Sequence, residues 1–349
     1  MRSWSNERAN RWISEHPWQI GFNYVTSNAV NDIAMWMDSS FNPRLIENEL
    51  ECANNLGFNS LRVFLSYTVW LNERTAFEKN FETFLQIADR HNFCVMPVLF
   101  DDCAFDFGSE PQYGVQPEPV YGVHNSRWVP SPGFQVQDDP DKLISCREYV
   151  TSIISNHVSD KRIFAWDLFN EPGNTERGDK CLPLLTAVFE WAHEIAPIQP
   201  VTSSLWRYDE GFAKVNATII ENSDIISLHA YTPLERTREL LDKYCMYHKP
   251  VIITEWLFRA GGNTYETHLP LFAERRIGIW QLGFITGKTQ TNLSWSTMNG
   301  GTPNPVPEIW QHDILFPDHT PYDPKEIALL EKIVNTNTSR HVSLDVEIT

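Results

Sequence analysis

Eight short apolar runs recur along the chain, at residues 19–24, 60–65, 93–100, 163–170, 200–205, 225–230, 250–256 and 278–286. Each is near-continuous rather than alternating, the pattern of strands in a parallel sheet covered on both faces. Between them, apolar positions fall at helical spacing over 43–56, 77–90, 142–159, 181–195, 210–222, 235–247 and 264–276, with a last such stretch at 324–335. Eight strands alternating with eight helices predict an α/β chain folded as a (β/α)8 TIM barrel, a single domain over 1–349. A doubly wound open sheet is the structural alternative. It wants a Gly-rich phosphate turn after the first strand, and Val25-Thr26-Ser27-Asn28-Ala29 is not one.

Two connections are long, from 101 to about 139 after the third strand and from 290 to 324 after the eighth. Both are rich in Pro, Gly and aromatic residues. Loops that follow strands open on the C-terminal face of a barrel, where the chemistry of that fold sits, so these two are expected to wall a substrate cleft. If the 101–139 loop closes one end of that cleft, release of short units from chain ends is favoured over internal cleavage.

The strand ends carry the candidate chemistry. Trp166-Asp167-Leu168-Phe169-Asn170-Glu171-Pro172 and Val251-Ile252-Ile253-Thr254-Glu255-Trp256 each run an apolar strand into a glutamate, about 84 positions apart. One such glutamate reads most simply as a solvated strand end or a helix N-terminal charge. Two, delivered to one rim by the fourth and seventh strands, form the carboxyl pair that glycosidic-bond hydrolysis requires. Arg62 is a cation inside the apolar run Ser60-Leu61-Arg62-Val63-Phe64, and it either supports one of these acids or belongs to a structural ion pair elsewhere. His229 and Tyr231, two apart at the sixth strand's end, share one side of that strand. A satisfied core histidine beside a surface tyrosine is the plainer alternative.

Charge and composition narrow the class. A net charge of −17 and a pI near 5.0 argue against nucleic acid and anionic membranes as partners. Thirteen Trp, eleven Tyr and twenty Phe supply flat apolar faces of the kind that sugar rings stack on, though most must be core. Six cysteines form no CxxC pair and are expected as free thiols. The first twelve residues hold no apolar signal segment and no stretch is long enough to span a bilayer, so a cytoplasmic protein is expected, or a secreted one if a leader has been removed.

Asn170-Glu171-Pro172 after a Trp-bearing strand, with Thr254-Glu255-Trp256 on the seventh, resembles the clan A retaining glycoside hydrolases, nearest to the cellulase- and mannanase-type barrels of glycoside hydrolase family 5. The resemblance spans the chain as strand order, but its specific part lies at the strand ends. It implies a retaining β-glycosidase with Glu171 as general acid/base and Glu255 as nucleophile. It implies support for Glu255 from Arg62 and Tyr231, with His229 completing the His-x-Tyr arrangement, and a grip on the sugar 2-hydroxyl by Asn170. The third strand departs from the pattern, ending in Asp101-Asp102 where the family commonly has a His-Asn type pair. Asp101 is a candidate for sugar hydroxyls or for capping the next segment. Trp36, Trp70, Trp128, Trp206, Trp256, Trp280 and Trp295 are candidate stacking platforms, Trp36, Trp256 and Trp280 foremost, with core packing the better reading for each one singly.

A carbohydrate is the expected partner, with no cofactor and no metal. A metal hydrolase on the same barrel would want clustered histidines such as His-x-His on the first strand, which has none. A catalytically silent sugar-binding barrel would usually lack one glutamate, and a transglycosidase on this scaffold is the remaining alternative.

Overall fold

The structure is a computed structural model that describes residues 3–105 and 109–346, with side chains to 336. Residues 106–108 of the loop predicted after the third strand, and both ends of the predicted 1–349 domain, lie outside the described residues.

The strands are β1 (Ile20–Tyr24), β2 (Ser60–Phe64), β3 (Cys94–Asp101), β4 (Trp166–Asn170), β5 (Val201–Thr202), β6 (Ser204–Leu205), β7 (Ile226–His229), β8 (Val251–Glu255) and β9 (Ile279–Leu282). They pair in the order β5-β4-β3-β2-β1-β9-β8-β7-β6, and every pairing is parallel. The two ends of that order, β5 and β6, are consecutive in the chain and parted only by Ser203. They form one broken stave, so the sheet closes on itself into the eight-staved (β/α)8 barrel.

Outside it pack α3 (Pro43–Asn55), α4 (Tyr67–Arg90), α6 (Leu143–Asn156), α7 (Leu182–Ile195), α8 (Ala213–Asn222), α9 (Leu234–Cys245), α10 (Tyr265–Arg275) and α11 (Pro324–Val346). Local signals set several of their ends. Asn42 caps α3 with Pro43 at its first turn, and Thr264 and Thr267 close a capping box on α10. Short elements that the apolar period did not predict are α1 (Asn6–Glu15), α2 (Asp32–Trp36) and α5 (Phe134–Gln137). Helix α4 also begins ten residues before its predicted start at 77, capped by Ser66 and broken at Glu73.

The main core lies between staves and helices. A second cluster fills the lumen's lower end with Met96, Phe164, Ala165, Ile225, Ile252 and Trp280, and Ala9 of α1 seals it from below. With the lumen filled at that end, it can open only toward its C-terminal rim. No helix among the described residues is long and apolar enough to cross a membrane. All six cysteines are free; Cys103, Cys146 and Cys181 are buried and Cys245 is exposed.

Candidate active site

Above the apolar plug the lumen turns polar. Asn23 on β1 and Arg62 on β2 are register partners, and both point inward. Arg62 is fully buried, and its guanidinium is bonded on every side. Its Nε and Nη2 donate to Asp167 Oδ2 at 3.0 and 2.8 Å, and Nη1 donates to Asn23 Oδ1 at 2.6 Å and to Glu255 Oε1 at 2.9 Å. Nη2 also donates to Asn170 Oδ1 at 2.6 Å. A buried cation needs this degree of compensation, and removing either partner of such a pair leaves the other uncompensated.

Glu255 ends β8 within this network. Its second oxygen, Oε2, accepts from Tyr231 Oη at 2.7 Å. Tyr231 follows β7, where a register shift between Leu228 and His229 re-aims the strand end toward the site. Burial raises the Glu255 carboxyl above its ordinary range and the neighbouring Glu171 charge adds to that, while His229, Arg62 and Tyr231 pull it back.

Glu171 occupies a different setting. Its φ is 42°, a left-handed conformation costly to a residue with a Cβ and found where structure over-determines it. Ser204 Oγ accepts the Glu171 N–H at 2.8 Å, Asp102 Oδ2 accepts the Gly173 N–H at 2.7 Å, and Trp206 Nε1 donates to Pro172 O at 3.1 Å. So held, the carboxyl receives Cys103 Sγ at 3.2 Å and the Asn174 amide on Oε2, and meets His229 Nδ1 on Oε1 at 2.6 Å. Burial raises the Glu171 carboxyl too; the Cys103, Asn174 and Arg62 contributions only partly offset it. His229 is buried and pushed down to about 4 by desolvation, so its ring is neutral between the two acids.

One carboxylate oxygen from each glutamate and a ring nitrogen of His229 lie within 4.8 Å of one another. Three such donors could in principle hold a cation. The same carboxylates are already claimed by hydrogen-bond donors, Arg62 and Tyr231 on Glu255 and Cys103 and Asn174 on Glu171. This environment is built around carboxyl ionisation.

The structure thus gathers Glu171, Glu255, Arg62, Asn170, His229 and Tyr231, with Asp101 behind them. Asp101 accepts from Asn170 Nδ2 at 2.7 Å, Trp128 Nε1 at 2.6 Å and the Cys103 N–H at 2.9 Å, so it orients these neighbours rather than facing a ligand. The three foremost tryptophan candidates are corrected. Trp36 lies in the helix-side core against Phe77, Phe81 and Phe84. Trp256 follows the inward Glu255 and by alternation faces outward onto Tyr265 and Phe272 of α10. Trp280 pairs with Gly21, two positions below the Asn23–Arg62 rung, and fills the lumen beneath the site with its Nε1 on Ser60 Oγ at 3.0 Å. Gly21 is required there, since a Cβ would fall 2.5 Å from the Trp280 ring.

The tryptophans that do line the cavity are Trp128, Trp206 and Trp295, beside rings such as Tyr208 and Tyr231, around a space of about 570 Å³. That volume suits a small-molecule pocket. Asn23 and Asp167 carried a sequence signal, a polar side chain inside an apolar strand, the same that marks Arg62. Cys103 and Asn174 carried none, because they sit on loops whose path only the folded chain defines.

No protein-family model and no curated protein sequence matches the chain. Solved structures do match. A variant of GH5_18 from Streptomyces cattleya in complex with Manβ1-4GlcNAc superposes with a TM-score of 0.61 at 14% identity, over 91% of this chain and 80% of that one. A glycoside hydrolase family 5 mannosidase from Rhizomucor miehei gives 0.56 at 14%, over 91% and 92%. An endo-β-1,4-mannanase from Thermotoga petrophila gives 0.59 at 14%, over 93% and 78%. At this identity the likeness is one of fold, and the chain shares their barrel.

Proposed function

We propose that this barrel is the catalytic domain of a retaining β-glycoside hydrolase, with Glu255 as nucleophile and Glu171 as general acid/base. The observation that carries the reading is the carboxyl pair with oxygens within 4.8 Å. Retaining enzymes hold the two carboxyls about 5–5.5 Å apart, whereas inverting ones leave about 6.5–9.5 Å for a water.

The division of labour follows from the partners. Glu255 receives a guanidinium N–H and a phenol O–H, both of which favour its charged form, as attack on an anomeric carbon requires. Glu171 has no direct cationic donor, and burial raises its carboxyl, which favours the protonated form that a leaving oxygen requires. In the first step a Glu255 oxygen bonds C1 while the glycosidic oxygen takes the Glu171 proton and leaves. In the second, Glu171 removes a proton from water, water bonds C1, and Glu255 is released. Asn170, fixed between Arg62 and Asp101, is placed to grip the neighbouring hydroxyl. Neutral His229 occupies the gap without adding a charge that would ionise the acid early.

The substrate class is a β-linked neutral sugar. The neighbours named as mannosidases and mannanase put β-mannosides first in any panel, beside β-glucosides, xylosides, galactosides and arabinosides. Such aryl glycosides, assayed with wild type, Glu171→Ala and Glu255→Ala, test the reading. Glu255→Ala is expected to lose activity on every leaving group. Glu171→Ala is expected to fall by about 10²–10⁴ on poor leaving groups and far less on dinitrophenolate. Azide should rescue Glu171→Ala with a β-glycosyl azide and give the α-azide with Glu255→Ala. Wild-type rates in either variant would refute the assignment.

A further inference from the structure

The rim of the barrel is uneven. On the β6 and β7 side the chain turns quickly into its helices, Leu205 to Glu210 and His229 to Leu234. On the opposite side the loops after β3 and β9 rise and are laced together. Asn125 N–H donates to Thr289 O at 2.7 Å, and Asn304 N–H to Gly122 O at 2.8 Å. Gln290 donates to Val120 O and Val123 O at 2.8 and 3.0 Å while accepting the Gly122 N–H at 3.0 Å. His124 N–H donates to Thr297 Oγ1 at 2.9 Å, its Nδ1 meets Leu293 O at 2.7 Å, and Lys288 pairs with Glu118 at 2.6 Å. Asn31 of the loop after β1 donates to Arg127 O at 2.9 Å, tying a third loop to this fence. Loop backbone satisfied this fully is a fixed wall rather than a mobile flap.

Asp313 is tied to this wall through Thr291. This carboxylate is 1% exposed and lines the cavity; the side-chain donor on it is Thr291 Oγ1, at 3.1 and 2.9 Å, and burial raises its carboxyl to about 6. Gly283 makes room for it, because a Cβ there would stand 2.4 Å from Asp313 Oδ1. The backbone N–H groups of Phe284 and Asn292 also donate to this carboxylate; beside Thr291 they fill most of its roughly four acceptor positions, and what is left can take a ligand's hydroxyl from the cavity.

Resting on the hydrolase reading, we propose that the cavity is a blind glycone pocket that takes one non-reducing terminal sugar, with Asp313 binding its distal hydroxyls, so that hydrolysis proceeds from chain ends. The orientation follows from the acid. Glu171 must stand beside the leaving oxygen; its backbone N–H is held by Ser204 of β6 and the next residue, Pro172, by Trp206, so it borders the low side although its carboxyl also receives Cys103. The departing chain therefore leaves over the short β6 and β7 loops, and the sugar retained on Glu255 faces the wall. A polymer threading through would have to cross the fence of residues 118–125 and 288–304.

Wild-type protein with β-1,4-mannohexaose and cellohexaose, each labelled with a fluorophore at the reducing end, decides the matter. Early in the digest the labelled product should be the pentaose with free monosaccharide, and hexasaccharide capped at its non-reducing 4-hydroxyl should resist. Asp313→Asn should lower kcat/KM on aryl glycosides roughly tenfold to a hundredfold, the loss expected for a charge-assisted hydrogen bond. Early labelled dimers and trimers, or equal turnover of capped and uncapped chains, overturn the blind pocket while leaving the hydrolase intact. An Asp313→Asn variant with unchanged kcat/KM overturns the role of that residue. No turnover of any glycoside, with Glu171→Ala indistinguishable from wild type, instead overturns the hydrolase reading on which the pocket rests.

Discussion

Cys103 shows how one side chain on a loop can set the behaviour of an acid. Its thiol touches Glu171 Oε2 at 3.2 Å, with the amides of Asn174 and Asn170 at 3.3 and 3.5 Å. Burial keeps the thiol protonated far above its usual range, so it acts as a weak S–H donor to the carboxylate. A donor to the charged form lowers a carboxyl's pKa, and the proposed first step needs Glu171 protonated, so on that proposal activity falls as pH rises through that value. Cys103→Ser, with a stronger O–H donor, is expected to move the basic limb of the kcat/KM profile to lower pH, and Cys103→Ala to move it higher. Superimposable limbs would show the thiol to be a bystander. Arg62 carries stability as well as chemistry: Arg62→Met strands Asp167 in the lumen, and urea unfolding should register a loss of about 3–5 kcal/mol. An unchanged midpoint would mean that the network relaxes around the gap. Sequence made the chemistry legible wherever a polar residue interrupted an apolar strand, as at Arg62, Glu171 and Glu255. It could not sort the tryptophans on the cavity from those in the core, because abundance says nothing about facing. Alternation past the inward Glu255 already sent Trp256 outward, whereas Trp128 and Trp206 sit on loops and Trp295 in a single 3-10 turn, with no period to read.

Among the elements, Asp102 joins pieces far apart in the chain. It follows β3, accepts from Gln137 Nε2 of α5 at 2.7 Å, and accepts from the Gly173 N–H of the turn that sets Glu171's backbone. Desolvation raises its carboxyl to about 7. The folded-state value lies above the unfolded one of about 3.9, so this stabilisation is complete below that pH and is lost as pH rises through 7. Gln137 Oε1 is a buried acceptor without a partner, so a flipped amide would accept from an asparagine at 102 while Gly173 kept its acceptor. Asp102→Asn is therefore expected to fold and to flatten the fall in Tm between about pH 4 and pH 7. A slope matching wild type would place the pH dependence elsewhere. The eight staves were readable because a buried parallel strand is a concentrated apolar signal. Helices α2 and α5, of five and four residues, are shorter than two helical turns and show no period. Helix α1 buries only Ala9 fully, with Trp12 and Ile13 half-buried beside it, so its apolar face is too narrow to show a period.

For the whole molecule, barrel closure turns two sites about 84 residues apart into one. Strand order alone implied that β4 and β8 would share a rim, but the lacing of the loops after β3 and β9 depends on backbone atoms that no side-chain pattern encodes. If Glu255 attacks the anomeric carbon, a covalent sugar must sit on it during turnover. An activated 2-deoxy-2-fluoro-β-glycoside (mannosyl and glucosyl forms with a dinitrophenyl leaving group) slows release of that species enough to weigh it. Intact mass should rise by one fluoroglycosyl unit, and peptide mapping should place the sugar on Glu255. A label on any other residue, or turnover of the parent glycoside with inverted anomeric configuration and no adduct, would contradict the account.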